Sequence, residues 1–460
     1  MFTIVDVALE ANTNSFPLLR ARIQVFAAKE DPKIQGQPSF VRLNQINQLH
    51  FMSLQIFEDR HFDPLLIFEN NFDGEAQTYW QQLLGSIGED LRAIFSCTKA
   101  ATEEQWKSLF TAGSTLSLLP FIEAHSISPS ASHIGALGIT RARVKRDSKV
   151  FEAIQKELGT GPQQPNVLTP AALHRKIRAW ALATYGWLKQ PEESNVQRAR
   201  RSARWQAVRK ILPALSAVLL AAIAVTFVGR SSLFSSEVHL EVLGAVVLFA
   251  VTVLVFAVMF WTTLRHVEKT DMTQEDPPLD PAQLAAFATQ EDEIVQNHLA
   301  SMVLVKPGAV RSLAIRGSLG VLKLLVPFIA ADGYLGSMRT IHFAHWTLIG
   351  NSGRLMFLSN FDGSWQSYLD DFVDKAHGGL TLAWGNCVGF PRTKDLTEEG
   401  ATHGTQFKAW ARQSQTQSLF WYSAYADLTV NQIWRNAAIV DGLRKSQLTE
   451  AQASAWAGLL

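Results

Sequence analysis

The chain has 460 residues, enough for two or three domains, and carries 47% hydrophobic but only 18% charged residues, a low charge share for a soluble protein of this size. Net charge is +1, so no global field points to nucleic acid, which is not expected as a partner. The only cysteines, Cys97 and Cys387, form no CxxC motif; zinc-ribbon and iron–sulfur readings lack support, and two buried reduced thiols are expected.

The N-terminus, MFTIVDVALEANTNSF, lacks a basic region followed by an apolar core, so it does not read as a secretory signal and is expected to stay cytoplasmic. Residues 1–158 read as a first α+β module. From Leu49 come an apolar strand, a turn at Asp59 to Asp63, a second strand (LLIF) and an Asn-Phe-Asp-Gly turn. A helix carrying Tyr79, a strand (RAIFSC), a helix (TEEQWKSLF) and a final strand (LLPFIEAHSI) follow.

Residues 159–207 read as a linker (Gly159 to Pro170) and a basic amphipathic segment, Pro170 to Lys189. There Arg175, Lys176 and Arg178 mix with Trp180, Tyr185 and Trp187, a composition suited to a headgroup layer. Within 208–266, Ile211 to Val228 and Val242 to Leu264 contain no charge, and each is long enough to span a bilayer. Gly229 to Glu241 connects them. Arg198, Arg200, Arg201, Arg204, Arg209 and Lys210 precede the first run, and Arg265 and Lys269 follow the second. The positive-inside rule then puts both soluble halves and both termini in the cytoplasm, on a bacterial-type plasma membrane.

Residues 267–330 read as a Pro-rich linker (Asp271 to Pro281), a polar helix (Ala282 to Leu299) and an amphipathic stretch, 309–330, that lies on the membrane or packs on the protein. The second module, 331–460, repeats the first. His342-Phe343 matches His50-Phe51, Asn360-Phe361-Asp362-Gly363 matches Asn71-Phe72-Asp73-Gly74, and Tyr368 matches Tyr79. Strand (LMFL), helix, strand (TLAWGNC), helix (QFKAWARQ) and strand (LFWYSAYADL) recur, and His125 aligns roughly with Tyr425. The fold class is α+β: two antiparallel sheets, each covered by helices on one face, able to pair into a barrel-like core, plus a two-helix transmembrane hairpin.

Paired modules of this kind resemble the ferredoxin-like dimeric α+β barrel superfamily, which includes dye-decolourising peroxidases and chlorite dismutase-like proteins. The peroxidases carry Gly-x-x-Asp-Gly, with the Asp on the distal side of haem. Here the Asp-Gly is kept, but Asn70 or Ser359 replaces the first Gly. The resemblance implies haem as cofactor and His50, Asp73, His342 and Asp362 as catalytic groups. Asn71, Asn360 and His377 become cofactor-binding candidates, with no metal site beyond the haem. Each has a plainer structural reading: the histidines hydrogen-bonded at strand ends, Asp73 and Asp362 capping the helix that follows, the asparagines bonding local backbone. His342 and His345 sit three apart on a strand and point to opposite faces, a poor chelating pair. No GxSxG, P-loop, Rossmann or HExxH motif is present. Two functions compete: a membrane-face oxidoreductase acting on a hydrophobic substrate, and a non-enzymatic membrane-anchored module binding a ligand or partner. The bilayer is an expected partner of both.

Overall fold

The computed structural model describes residues 2–8, 15–31, 41–58, 63–160, 168–190, 195–230, 236–271, 279–330, 335, 338–350 and 353–460. The expected turn at Asp59 to Asp63, both Pro-rich linkers and the connector after Gly229 fall largely outside these residues.

The strands are β1 (Phe2–Ala8), β2 (Leu49–Phe57), β3 (Leu65–Phe72), β4 (Ser126–Ile127), β5 (Ala131–Ile134), β6 (Gln296–Leu304), β7 (Ile341–Ile349), β8 (Arg354–Asp362), β9 (Thr393–Lys394), β10 (Glu398–Glu399), β11 (Gln415–Thr416) and β12 (Ser418–Ser423). They form two five-stranded antiparallel sheets, ordered β12-β2-β3-β1-β4 and β5-β7-β8-β6-β11, beside a small β9–β10 ribbon. The two sheets have one plan. Phe51 lies opposite Asn71 and Phe343 opposite Asn360, each register shifting just before, at His50 and His342. Each half also gives its last strand away: β12 pairs with β2, and β5 with β7.

All residues of β2 and β3 are buried, so both faces of the sheet are covered and the strands read as near-continuous apolar runs. Met52, Leu54, Ile56, Leu66 and Phe68 point outward to helices. Phe57, Leu65 and Ile67 point inward and meet Ala300, Ile349, Met356 and Leu358 of the other sheet. Burying each such side chain is worth roughly 1.5–3 kcal/mol.

Helices α1 (Ser15–Glu30) and α2 (Ala76–Phe95) cover the first sheet. The other long helices are α3 (Arg141–Thr160), α4 (Pro170–Thr184), α5 (Asn195–Arg230), α6 (Ser236–Thr270), α7 (Ala309–Ile329), α8 (Trp365–Trp384) and α9 (Val430–Arg444); helices of ten residues or fewer also occur, among them Pro281–Ala288, Gly404–Gln413 and Glu450–Ala457. Helices α7 and α8 cover the second sheet.

Several expectations are corrected. RAIFSC and TLAWGNC are not strands: their apolar residues continue the helical spacing of Leu83, Ile87 and Leu91, so α2 runs to Phe95 and α8, kinked at Ala376, to Trp384. LLPFIEAHSI is a short helix, Leu119–His125, begun by Pro120 and followed by β4 and β5. TEEQWKSLF keeps only one helical turn, Lys107–Phe110. The polar helix ends at Ala288, a turn follows, and β6 takes the last residues from Gln296. Because β6 pairs with β8 along its whole length, the second sheet begins near residue 296, inside the stretch read as linker, and β1 opens the first. Segment Pro170 to Lys189 buries His174, Ile177, Ala181 and Leu188 against Val150, Ile154, Val440 and Trp456. Its apolar face is covered by protein, not left for a headgroup layer.

Among the described residues, three helical stretches are long and apolar enough to cross a membrane: Val196–Phe227, Leu240–Thr270 and Ala309–Ile329. The apolar windows of the first two have no buried residue, and Leu219, Phe227, Leu248, Phe249 and Leu254 are all over half exposed. Helix α7 instead seats Ile315 and Leu319 on the second sheet and buries Arg311 beside Asp271 and Asn386.

Candidate functional site

The repeated motifs build two matched pairs. The β-bulge turns His50 and His342 towards the Asp-Gly turns, whose Gly74 and Gly363 hold φ of +77° and +79°. His50 Nε2 lies 2.8 Å from Asp73 Oδ2, and His342 Nε2 lies 2.7 Å from Asp362 Oδ1. Each aspartate also accepts the first backbone N–H of a distant helix: Arg141 of α3 donates to Asp73 at 2.6 Å, and Val430 of α9 to Asp362 at 2.8 Å. The expected cap of the following helix is thus corrected: α2 has no side-chain cap, and Ser364 caps α8. Burial alone would raise the Asp73 carboxyl, but the charge and hydrogen bond of His50 and the Arg141 amide bring it below its ordinary value.

Tyr425 joins the pairs. Its hydroxyl is 2.7 Å from His50 Nδ1, and its ring lies against His50, Phe51 and His342. Burial, then the nearby Asp73 charge, raises its pKa well above the ordinary tyrosine value. A phenol that stays protonated can donate to Nδ1, which leaves Nε2–H to donate to Asp73. The rough match of His125 with Tyr425 is corrected by register: Ile134 and Ser423 face equivalent phenylalanines, so Ala136 is the counterpart of Tyr425, and His125 ends a helix.

A second cluster lies between the sheets and centres on Glu69, which is fully buried. It accepts from Ser53 Oγ at 2.8 Å, Asn71 Nδ2 at 2.7 Å, His298 Nε2 at 2.9 Å and Asn360 Nδ2 at 3.2 Å. His345 Nε2 is 2.7 Å from Asn71 Oδ1, while Trp421 Nε1 donates to Asn360 Oδ1 at 2.8 Å. Burial by itself would raise Glu69; the hydrogen bond and charge of His298, the charge of His345 and the Asn71 amide outweigh it, and the carboxyl is pulled down to about 2. Burial holds His345 down at about 4, so its charge acts on Glu69 only below that pH.

His298 and Tyr425 both reach a cleft of about 600 Å³. Strand β12 and the chain beyond it form one wall, with Phe287, Asn297, Asn44 and Lys145 around it. Lys145 donates to Asn44 Oδ1; burial, then Arg141 and Lys149, lower its pKa to about 8. Gln283 donates to the carbonyl of Gln415 in β11, and Gln290 to that of Ser418 at the start of β12.

Sequence reasoning therefore named His50, Asp73, His342 and Asp362, and the fold brings them together as two pairs. It named Asn71 and Asn360, which serve the Glu69 cluster. It missed Glu69 and His298; the available signal was a lone acid in the apolar strand LLIFENNF, where the second copy has Leu358. His342 and His345 do face different partners, Asp362 and Asn71. His377 is exposed on α8, outside both clusters.

These residues do not fit the haem site that the resemblance implies. Both oxygens of Asp362 are taken, both ring nitrogens of His298 are bonded, to Ser418 and Glu69, and His377 and His403 are exposed. Among the described residues, no group of three or more His, Cys, Asp or Glu is disposed to hold a metal ion. Cys97 and Cys387 are free and buried, and burial raises both thiols, Cys387 to about 12, away from nucleophilic use. No family model, curated protein or solved structure matches the chain.

Asp362 is nearly closed to solvent, its side chain 6% exposed against 28% for Asp73. Losing a helix cap costs about 0.5–2 kcal/mol, and stranding a buried donor adds to it. Asp362→Ala is therefore expected to lower stability by about 2–3 kcal/mol and Asp73→Ala by about 1–2 kcal/mol, as read from thermal melts in detergent. The reverse order would contradict this geometry.

Proposed function

We propose that this chain is a multi-pass protein of a plasma membrane whose two ferredoxin-like modules, fused face to face as one α+β barrel, bind a ligand beside the cytoplasmic surface. The observation that carries the binding role is the cleft along β12. It offers aromatic surface from Phe287, Trp421, Tyr422 and Tyr425, amides from Asn44 and Asn297, and one partly desolvated cation, Lys145. Asp31, Glu291, Glu293 and Asp427 also line it, so the mixture suits a small molecule with a flat apolar body and a polar head that is not anionic. The membrane anchor is the α5–α6 hairpin: its exposed leucines, valines and phenylalanines would face water at a cost of tens of kcal/mol, at roughly 1.5–3 kcal/mol each, and face acyl chains at none.

The two His–Asp pairs support binding rather than turnover. Their carboxylates hold helix ends, and the one on Asp73 fixes α3, whose Lys145 lines the cleft. The test is what leaves the protein with its solvent shell. Mass spectrometry of detergent-purified protein is expected to release one small molecule near stoichiometric amounts, depleted about tenfold in Lys145→Ala, the loss of one charged hydrogen bond. Wild-type protein that releases nothing, and whose melting no extract of membrane or cytoplasm shifts, would sink the reading.

A further inference from the structure

We infer that Lys145 holds the ligand of the β12 cleft as an imine, so that this ligand is a flat apolar aldehyde or ketone. This rests on the reading that the cleft binds a small molecule. Lys145 lines the cleft and is half-buried. It lies on α3 with Arg141 one turn before it and Lys149 one turn after, so three basic residues share one face of the helix. Arg141 Nη2 donates at 2.8 Å to both the backbone oxygen and Oδ1 of Asn44, and Lys145 Nζ donates to the same Oδ1. That amide oxygen carries no net charge and is already shared with a guanidinium. Lys29, Lys306 and Lys408 each sit on a carboxylate; among the described residues none is paired with Lys145. Burial, then the charges of Arg141 and Lys149, therefore favour the uncharged amine and bring it to about 8. About a quarter of it is then free at pH 7.5, against about a thousandth of an ordinary lysine. A free amine in a cleft is a nucleophile for carbonyl carbon.

The rest of the cleft narrows the ligand. A cation without a counter-ion would also suit an anion, but Asp31, Glu291, Glu293 and Asp427 line the same cleft and repel one. A neutral carbonyl meets no such repulsion, and Phe287, Trp421 and Tyr422 offer apolar surface to its body. The step balances without an oxidant. The Nζ lone pair attacks the carbonyl carbon, and the carbonyl oxygen takes up a proton. The nitrogen, losing its own protons, then expels that oxygen as water and leaves C=N in place of C=O. Hydrolysis reverses the step and frees the ligand intact.

The experiment treats the full chain in detergent with cinnamaldehyde, a flat aromatic aldehyde, and with sodium cyanoborohydride, which reduces an imine to a stable amine. Peptide mass spectrometry then maps the adduct. At pH 7.5 Lys145 is expected to be labelled about a hundredfold faster than Lys149, in proportion to its free amine. Lys145→Arg keeps a cation beside Asn44 and should lose the fast label. Acetylation of Lys145 by acetic anhydride should level off above about pH 8, and Lys149→Ala should move that midpoint upward, because one repelling charge is gone. Equal labelling of Lys145 and Lys149, or acetylation that still climbs at pH 10, would overturn the inference. Sodium borohydride added to wild-type membranes before extraction should fix the native ligand on Lys145 as added mass that survives denaturation. If the purified protein releases a small molecule but borohydride fixes none of it, this inference falls alone. If nothing is released and nothing is fixed, the binding reading falls and takes this one with it.

Discussion

Glu69→Ala is expected to cost the folded protein about 3–5 kcal/mol, the loss seen when one member of a buried charged network is removed. The four groups that donate to Glu69, from Ser53, Asn71, His298 and Asn360, lie on both sheets. Without the carboxylate they remain buried and lose their acceptor, and His298 keeps only Ser418. The acid limb gives a second reading. A carboxyl lowered from 4.5 to about 2 contributes on the order of 3 kcal/mol at neutral pH. Its folded pKa is below its unfolded one, so this contribution is complete above pH 4.5 and disappears as pH falls towards 2. Wild-type stability in detergent should drop through that window, and Glu69→Ala should drop less. Glu69→Leu, which copies Leu358 of the second half, should not rescue, because His298 still lacks its partner. A Glu69→Ala protein within 1 kcal/mol of wild type at pH 7 would remove the argument.

Glu268→Ala is the second large effect. Glu268 sits near the end of α6, is fully buried, and accepts from Thr393 Oγ1 at 2.9 Å, Leu396 N at 3.0 Å, Asp395 N at 3.1 Å and Arg265 Nη1 at 2.8 Å. Asp395 and Leu396 hold φ of +53° and +63°, a left-handed turn that aims successive amides at one point. Two such non-glycine residues cost about 1–2 kcal/mol each, and the carboxylate offsets that strain. Its removal should loosen the β9–β10 ribbon by about 3 kcal/mol. Hydrogen exchange at the Asp395 and Leu396 amides should speed up roughly a hundredfold, with β7 and β8 unchanged. Equal exchange in variant and wild type would show that the ribbon holds itself.

The repeat was legible because both halves keep the same short words at the same structural joints. His-Phe marks a bulge and Asn-Phe-Asp-Gly marks a left-handed turn, and both demand particular residues. The long uncharged runs were legible because composition alone sets them apart. Helix length was misjudged where a helix ends in apolar residues that suit a strand equally well, as at RAIFSC and TLAWGNC. Strand β6, QNHLASMVL, was missed because its inward face holds His298 in a polar layer, which broke the apolar pattern expected of a strand. Pairings with partners hundreds of residues away left no local trace. Local chemistry located Asp73 and Asp362, but not the helices they cap, which begin 68 residues further on.

The exchange of β5 and β12 also dictates an order of events during synthesis. Strand β2 has its outer neighbour only when Ser423 has left the ribosome, long after α5 and α6 have been made. Until then the first half presents an open sheet edge, which invites pairing with other chains. The long helices lie between the halves in the chain, so that edge stays open while they and the second half are translated. A chain cut between the halves would therefore leave two fragments, each with a sheet lacking one edge strand, and neither is expected to fold alone.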